Sequence, residues 1–315
     1  MKLNCKAMEA GIQINNLSKS YYEVQALKNI TLDIKSGELF GIIGPDGAGK
    51  TTLFRLLATL LLPDSGNIIL CETDVVKKYK MIRKLLGYMP GKFSLYQDLS
   101  VIENLEFFAS VFNTHIEDNM DMIHDIWMQI EPFKDRLAGK LSGGMKQKLA
   151  LCCALIHQPK VLLLDEPTTG VDAVSRNEFW QMLKNLKSKG ITIVVATPYM
   201  DEANMCERVA LIKDGEILQV NTPSQIVDQF GKDLYAVKSD DNYQSLLDLR
   251  EFEFTGSVFL FGQSLHYTDL RNDFSITEIE KYLKSKGRLQ LETKKIKPGI
   301  EDCFMRLSVK SEEYE

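Results

Sequence analysis

The chain has 315 residues, a length that suits one large domain and a smaller one. Its composition is that of a globular protein, with 44% apolar and 26% charged residues, and its net charge of -5 gives no sign of a nucleic-acid-binding surface. A local basic patch remains compatible with that net charge. The six cysteines form no C-x-x-C pair, so we expect reduced thiols packed as small apolar side chains in a cytosolic protein.

Membrane-targeting signals are weak in this sequence. Residues 1–13 lack the apolar core of a signal peptide, so none is predicted. The richest apolar stretch, residues 53–62, is too short for a membrane span and contains Arg55. If the protein works at a membrane, we expect a partner to hold it there.

The predicted elements alternate between strands and helices over most of the chain. In chain order the pattern predicts strands over 12–17, 27–34 and 39–44, a helix over 51–62, a mostly helical region over 77–140, a helix over 143–157, a strand over 161–165, a helix over 174–189, a strand over 191–196 and a hairpin over 209–218. Apolar strands separated by helices indicate a mostly parallel sheet covered on both faces, hence an α/β fold class.

The pattern changes after Asn221. Residues 234–296 read as strand, helix, two strands, helix and strand, which is the β-α-β-β-α-β order of the ferredoxin-like fold. We therefore predict a first domain over 1–222 with a helical subdomain at about 77–145. A linker over 223–233 and a small α+β accessory domain over 234–315 follow.

A phosphate-binding loop is predicted between the third strand and the first helix. The stretch from Gly44 to Thr51 matches G-x-x-x-x-G-K-[ST], whose glycines let backbone N–H groups turn toward phosphate oxygens at the start of a helix. Lys50 would reach the β- and γ-phosphates, and the Thr51 hydroxyl would bind Mg²⁺. The candidate nucleotide-binding residues here are Gly44, Pro45, Asp46, Gly47, Ala48, Gly49, Lys50, Thr51 and Thr52.

A second element, VLLLDEP, lies about a hundred residues later. The buried strand would deliver Asp165 to the Mg²⁺ shell, and Glu166 is the candidate catalytic residue because it can orient and polarise the attacking water. The pattern of a phosphate loop followed by such a strand is typical of nucleotide-hydrolysing sites.

The stretch LSGGMKQKL places Ser142, Gly143 and Gly144 at a helix start, which is a second anion site. With this motif the chain resembles the ATP-binding cassette (ABC) ATPases from about Ile12 to Val220. In that family the motif covers the γ-phosphate held by another subunit, so that two cassettes sandwich two nucleotides.

The resemblance implies a P-loop NTPase fold of the ABC type, a mixed sheet with a helical subdomain, and ATP and Mg²⁺ as ligands. It implies that Tyr21 stacks on adenine, with Tyr22 as a substitute, and that the loop over 169–172 touches the opposite subunit. The tail, ending in PGIEDCFMRL, is similar to the C-terminal extensions of cassettes that serve drug and lipid exporters. A generic dimerisation domain is the alternative.

Two positions depart from the family pattern. Gly91 stands where the family has a glutamine that reaches the metal and the water, and Pro198 stands where it has a phosphate-sensing histidine. Asp46 is a lesser departure, replacing asparagine. Because neither Gly91 nor Pro198 has a polar side chain, we expect slow hydrolysis in this site, unless Thr197 or Tyr199 substitutes.

We therefore predict the energy-coupling ATPase of an exporter, peripheral on the cytoplasmic face of the membrane and driving a separate permease subunit. A second, fully equipped cassette is the favoured partner, and a working homodimer is the alternative. The segment around Phe93, Leu95 and Tyr96 is the predicted permease contact, and ordinary core packing of these residues is the alternative. The competing functions are an ATP-sensing regulatory cassette with little turnover and a soluble ABC ATPase acting on ribosomes or DNA.

Overall fold

The computed structural model describes residues 10–92 and 94–312. The chain forms two compact units, Met1–Pro223 and Ser224–Glu315, and each is described by itself.

Unit 1 carries the nucleotide-site motifs. Its strands are β1 (Ala10–Tyr21), β2 (Val24–Lys35), β3 (Leu39–Ile43), β4 (Ser65–Leu70), β5 (Thr73–Asp74), β6 (Leu86–Met89), β7 (Val161–Asp165), β8 (Thr192–Thr197), β9 (Arg208–Lys213) and β10 (Glu216–Asn221). Its α-helices are α1 (Lys50–Leu57), α2 (Tyr79–Leu85), α3 (Val101–Val111), α4 (Met120–Ile130), α5 (Gly143–Leu155) and α6 (Ala173–Ser188).

The strands of unit 1 form two sheets. The central sheet has the order β10-β9-β3-β8-β7-β6 and is parallel except for β10, which pairs antiparallel with β9. The second sheet, β2-β1-β4-β5, is antiparallel. Every residue of β3, β7 and β8 is buried, as expected for parallel strands covered on both faces. The predicted α/β class with a mixed sheet is confirmed.

The sequence-based elements differ from the structure in three places. The region over 77–140, predicted as mostly helical, contains β6, a four-residue strand with no room for a recognisable alternation. Helix α1 ends at Leu57 rather than Leu62, because Thr59 adopts a positive φ of 60° that an α-helix does not allow. Strands β4 and β5 were not predicted either.

Helix α3 begins at a well-formed cap. Ser100 Oγ accepts from Glu103 N (3.3 Å) and Glu103 Oε2 accepts from Ser100 N (2.7 Å). Asn104, which is fully buried, accepts from Tyr96 N at 3.0 Å and donates to Tyr96 O at 2.9 Å. The cap and Asn104 therefore fix the segment from Tyr96 to the start of α3.

Unit 2 is a small α+β domain. Its elements are α7 (Pro223–Asp228, beginning at the last residue of unit 1), β11 (Leu234–Lys238), α8 (Asn242–Arg250), β12 (Thr255–Phe261), β13 (Ser264–Asp269), α9 (Ile276–Ser285), β14 (Glu292–Ile296) and α10 (Ile300–Glu312). Its sheet is antiparallel with the order β12-β13-β11-β14. From β11 to β14 the chain follows the predicted β-α-β-β-α-β order of the ferredoxin-like fold.

Helix α7 occupies the first six residues of the predicted linker over 223–233. Its residue Ile226 is 1% exposed, so the first part of that segment is packed secondary structure. Within residues 10–92 and 94–312, no helix combines the length and apolarity needed to cross a bilayer.

Candidate nucleotide-hydrolysing site

The site lies at the edge of the central sheet where its parallel strands end. Ile43 of β3 pairs with Thr197 of β8, and Asp165 of β7 pairs with Ala196. On the far side of β7, Met89 of β6 pairs with Leu164. The loops that follow these four strands, carrying the phosphate loop, Glu166, Pro198 and Gly91, therefore leave one edge of the sheet.

The phosphate loop connects β3 to α1. Lys50 is 3% exposed, and its Nζ donates to Gly44 O and Pro45 O at 2.9 Å each. Gly49 has a φ of 100°, and a Cβ there would lie 2.5 Å from Ala26 O. Only glycine fits this backbone, so the loop conformation that presents Lys50 is built into the sequence.

The predicted lysine, hydroxyl and carboxylates converge. Thr51 Oγ1 donates to Asp165 Oδ1 at 3.3 Å, and Lys50 Nζ lies 3.5 Å from Glu166 Oε1. Burial raises the pKa of Asp165, and the bond from Thr51 opposes that shift. Glu166 follows β7 with a φ of 51°, an uncommon backbone for a non-glycine residue, and its N–H donates to Ala196 O at 2.8 Å.

The hairpin between β9 and β10 braces the phosphate loop. Gly215 N donates to Ala48 O at 3.2 Å, and Lys28 N of β2 donates to Gly215 O at 2.8 Å. The sequence indicates the hairpin but not this contact. Asp46 has an 88% exposed side chain, 3.8 Å from Lys50 Nζ, so its carboxylate faces outward from the loop.

The LSGG residues form a separate feature. Ser142 caps α5, with its Oγ accepting from Met145 N at 3.3 Å, and Ser142 and Gly143 are exposed. A Cβ at Gly144 would lie 2.9 Å from Ser175 Oγ, so this glycine allows α5 to approach α6. Over the described ranges, no hydrogen bond or ion pair joins Ser142, Gly143 or Gly144 to the phosphate loop.

The two tyrosines predicted for adenine stacking lie at the end of β1. Tyr21 is its last residue and is 38% exposed. Tyr22 follows in the turn, fully exposed with a φ of 52°. Both rings are accessible to a ligand, and the adenine role of Tyr21 stays a prediction.

Gly91 lies directly against the strand that carries the carboxylates. A Cβ at Gly91 would be 3.1 Å from Asp165 O and 3.8 Å from Glu166 Cβ. A larger residue here needs Asp165 to shift by a few tenths of an ångström. The missing side chain therefore leaves the loop after β6 packed closely on the end of β7.

Thr197 and Tyr199, the two residues considered as substitutes on either side of Pro198, make other contacts. Thr197 Oγ1 donates to Glu202 Oε2 at 2.6 Å and accepts from Tyr199 N at 3.1 Å. The Tyr199 ring stacks under the Arg176 guanidinium, with Arg176 Cζ 4.5 Å from the ring centroid. Pro198 between them contributes no polar side-chain atom.

Glu202 is a residue that the sequence analysis missed. It is 2% exposed, and its other oxygen, Oε1, accepts from Thr168 Oγ1 at 2.7 Å. Thr168 is two residues beyond Glu166. Glu202 therefore joins the loop after Glu166 to the end of β8, a link between segments 34 residues apart that no local pattern reveals.

A cavity of about 750 Å³ opens beside the site. We call it the groove; Glu166 and Gly91 line one end, and Leu95, Phe108, Phe112 and His157 line the part against α3 and α5.

Two of the predicted permease-contact residues lie at or near the groove. Leu95 is buried, whereas Tyr96 is 50% exposed and stacks edge-on against Phe107 at 4.8 Å. Phe93 lies outside the described residues.

His157 is held neutral in the wall of the groove. Its Nε2 lies 3.1 Å from Leu86 O, its ring stacks on Phe112 with centroids 3.6 Å apart, and burial lowers its pKa to about 4. A neutral ring that donates from Nε2 leaves Nδ1 as an acceptor, and this buried atom has no protein partner in the described chain.

Comparison with known proteins agrees with this geometry. The model of the ABC transporter family matches residues 27–169. The chain is 45% identical over 222 residues to the probable multidrug ABC transporter ATP-binding protein YbhF of Escherichia coli. The aligned residues are 69% of this chain and 38% of YbhF. The chain thus spans about two fifths of the length of that relative. It is 32% identical to the Nod factor export ATP-binding protein I of Sinorhizobium fredii over 305 residues, 95% of this chain and 86% of the relative.

Solved structures show the same fold. The backbone of cbiO1 from Clostridium perfringens, part of the ABC transporter complex cbiONQ, matches with a TM-score of 0.63 at 29% identity over 70% of this chain and 92% of that one. The cassette MJ0796 bound to ADP and Pi in a dimeric post-hydrolysis state gives 0.61 at 28% identity, over 67% and 98%. The chain belongs to the ABC transporter family and carries its ATP-binding cassette.

Proposed function

We propose that this chain is the ATP-hydrolysing subunit of an ABC exporter, that it drives a separate membrane permease, and that its own site turns over slowly. One observation carries the proposal. Lys50, Thr51, Asp165 and Glu166 converge at the sheet edge, while the two neighbouring loops carry Gly91 and Pro198. The names of the relatives, which serve multidrug and Nod factor export, support the direction of transport.

The converging groups suit a nucleoside triphosphate. Lys50 can donate to phosphate oxygens and offset their charge, and the backbone of the loop from Gly44 surrounds the same position. Glu166 can accept a hydrogen bond from the attacking water and orient it toward the γ-phosphate. Because the rest of the cluster is retained, we expect ATP to bind even where its hydrolysis is slow.

The pair Thr51 and Asp165 fits Mg²⁺. A hydroxyl and a buried carboxylate 3.3 Å apart are hard oxygen ligands of the kind that Mg²⁺ takes from a protein, with phosphates and waters completing its shell. Bound there, the ion would offset charge on the β- and γ-phosphates.

The groove is the proposed docking site for the permease. It reaches from the exposed side of α3 and α5 to Glu166 and Gly91, so a segment seated in it contacts the hydrolytic site directly. The accessible ring of Tyr96 lies on the connection from β6 to α3, at the side of the groove. The permease would hold the chain at the cytoplasmic face of the membrane.

We favour a second, different cassette as the dimer partner. The LSGG residues Ser142 and Gly143 are exposed and make no bond to this chain's own phosphate loop within the described segments, so they are free to cover a nucleotide on the partner. A chain with a slow site keeps that role. Paired with a fully equipped cassette, it completes one fast site.

Steady-state ATP turnover of the purified chain tests this account. We expect wild type to be nearly silent and the Gly91→Gln/Pro198→His double variant to gain about 10²-fold or more in rate. Adding Glu166→Gln to that double variant should abolish the gain. Brisk hydrolysis by wild type, lost in Glu166→Gln, would instead identify a self-sufficient homodimer.

A matched control separates chemistry from crowding at Gly91. Gly91→Ala/Pro198→Ala adds the same Cβ against Asp165 O and releases the same proline constraint, but it supplies no polar group. A gain in this control equal to that of the double variant would contradict the proposed cause. An ATP-sensing regulatory cassette is the second candidate, favoured if the double variant also stays silent while ATP binding persists.

A further inference from the structure

One segment of unit 1 carries an unusual excess of positive charge. From Val75 to Gln97 the sequence contains no Asp or Glu, although the whole chain has a net charge of -5. The cations in this segment are Lys77, Lys78, Lys80, Arg83, Lys84 and Lys92. A local concentration of like charge in an acidic protein needs an anionic counterpart to be favourable.

These cations are displayed on the surface around α2. Ile82 is the one buried residue in this seven-residue helix, and all six cations are exposed. Lys77 has an 81% exposed side chain and lies 3.6 Å from Asp74. Among residues 10–92 and 94–312, Lys78, Lys80 and Lys84 form no ion pair.

Apolar side chains stand beside the lysines. They are Leu60 (54% exposed), Leu62 (65%), Val76 (40%), Tyr79 (42%) and Met81 (50%). We define the α2 patch as these five residues together with Lys77, Lys78, Lys80 and Lys84. Each apolar member is at least 40% exposed.

Arg83 holds the patch together. Its Nε donates to Thr59 Oγ1 at 2.7 Å and its guanidinium to Thr59 O at 3.0 Å, which fixes the loop carrying Leu60 and Leu62 against α2. The guanidinium also lies over the Tyr79 ring at 5.2 Å. Three of the apolar members, Leu62, Val76 and Tyr79, line a common cleft of about 210 Å³.

The composition of the α2 patch favours a lipid surface over a protein partner. Lysine is depleted in protein–protein interfaces, whereas clusters of four or more lysines or arginines beside exposed apolar side chains are typical of binding to anionic membranes. The long lysine stems can lie along the apolar boundary while their ammonium groups meet lipid phosphates.

We propose that the α2 patch binds the surface of a bilayer containing anionic phospholipids, in direct contact with the head groups and independently of the permease. The lysines supply long-range attraction, and Leu60, Leu62, Tyr79 and Met81 reach the boundary between head groups and acyl chains. This attachment is separate from ATP turnover, so one can fail without the other.

The test is co-sedimentation of the full-length chain with vesicles. We expect at least about ten-fold tighter binding to phosphatidylcholine mixed with phosphatidylglycerol than to phosphatidylcholine alone, weakening as NaCl is raised. Lys77→Glu/Lys78→Glu/Lys80→Glu should weaken binding to the anionic vesicles about ten-fold or more. Tyr79→Ala/Met81→Ala should weaken it while keeping its dependence on salt.

The matched control is Lys281→Glu/Lys284→Glu/Lys294→Glu, which makes the same charge change on exposed lysines of unit 2. It should bind vesicles much more nearly like wild type than the α2 variant does. ATP affinity and Tm, measured on every variant, show that each is folded. Equal loss in both triple variants, or no binding of wild type to anionic vesicles, overturns the proposal; the second result would point to an acidic protein partner.

Discussion

Thr197 Oγ1 lies 2.6 Å from Glu202 Oε2, and both residues are buried, with exposed fractions of 0% and 2%. The hydroxyl beside Pro198 is thereby committed to a carboxylate on the following turn. The same carboxylate receives Thr168 Oγ1 at 2.7 Å, so the loop after Glu166 and the end of β8 share one anchor. We infer that Glu202 is a positioning residue for Glu166.

The first prediction concerns the anchor itself. Glu202→Gln replaces one acceptor oxygen by an NH₂ group facing a hydroxyl, and we expect it to lower the free energy of unfolding by about 1–3 kcal/mol. In the Gly91→Gln/Pro198→His background, kcat should fall about ten-fold with little change in the KM for ATP, because Glu166 is misplaced while the phosphate loop is intact.

The neighbouring acid supplies the control for that experiment. Asp201→Asn makes the same chemical change on a side chain that is 77% exposed, and its kcat and Tm should match those of the parent. A parallel rise in the KM for ATP, or an unchanged kcat in Glu202→Gln, would contradict a positioning role.

The second prediction separates the two hydroxyls that share Glu202. Thr168→Val should lower kcat much as Glu202→Gln does, since it cuts the link to the loop after Glu166. Thr197→Val should cost stability, about 1 kcal/mol, but leave turnover per folded molecule unchanged. If wild type hydrolyses ATP and Thr197→Val lowers that rate about 10²-fold, then Thr197 replaces the histidine and the slow-site account is wrong.

The third prediction follows from the buried carboxylate. Because burial raises the pKa of Asp165 above its usual value, its ionisation opposes folding, and stability falls as pH rises through that pKa. Asp165→Asn should therefore raise Tm at pH 7 and, in the Gly91→Gln/Pro198→His background, lower ATP turnover about 10²-fold or more. Asp98→Asn, on an exposed loop carboxylate, is the control and should leave Tm unchanged. A lower Tm in Asp165→Asn would refute the claim that the ionised Asp165 carboxylate opposes folding.

The fourth prediction concerns acid sensitivity. His157 is neutral in the fold with a pKa of about 4, whereas the unfolded chain binds its proton near pH 6.5. As pH falls through this window the unfolded state takes up the proton, so stability decreases by at most about 1.4 kcal/mol per pH unit. His157→Gln keeps a donor for Leu86 O and does not titrate.

Thermal unfolding at pH 7.5 and pH 5 measures this effect. Wild type should lose more Tm between the two conditions than His157→Gln. The control His124→Gln changes a histidine whose side chain is 59% exposed, and it should follow wild type. Equal acid sensitivity in all three proteins would show that His157 does not contribute.

The sequence predicts the phosphate loop and the carboxylate strand well because their roles are written into local spacing. Gly49 must be glycine where its φ is 100°, and Lys50 must follow it to open α1. The register of β3, β8 and β7 then brings Thr51 to Asp165. Local spacing and backbone chemistry therefore account for the phosphate loop and the strand end, and the register of the sheet brings the two together.

Other parts depend on contacts that no local pattern encodes. Strand β6 has four residues and gains its identity only by pairing with β7. Glu202 meets Thr168 because the strands place their loops together, across 34 residues of sequence. The groove is assembled from β6, α3, α5 and the loop after β7, so its existence depends on tertiary packing rather than periodicity.

The close approach of Gly91 to Asp165 has a consequence for timing. The two strands that end there are neighbours, so a segment pressed into the groove meets the carboxylate strand with no side chain between them. If this site hydrolyses ATP slowly, as we propose, bound ATP would keep it closed against the partner cassette through several turnovers of the partner's site. The faster site would then set the rate of transport.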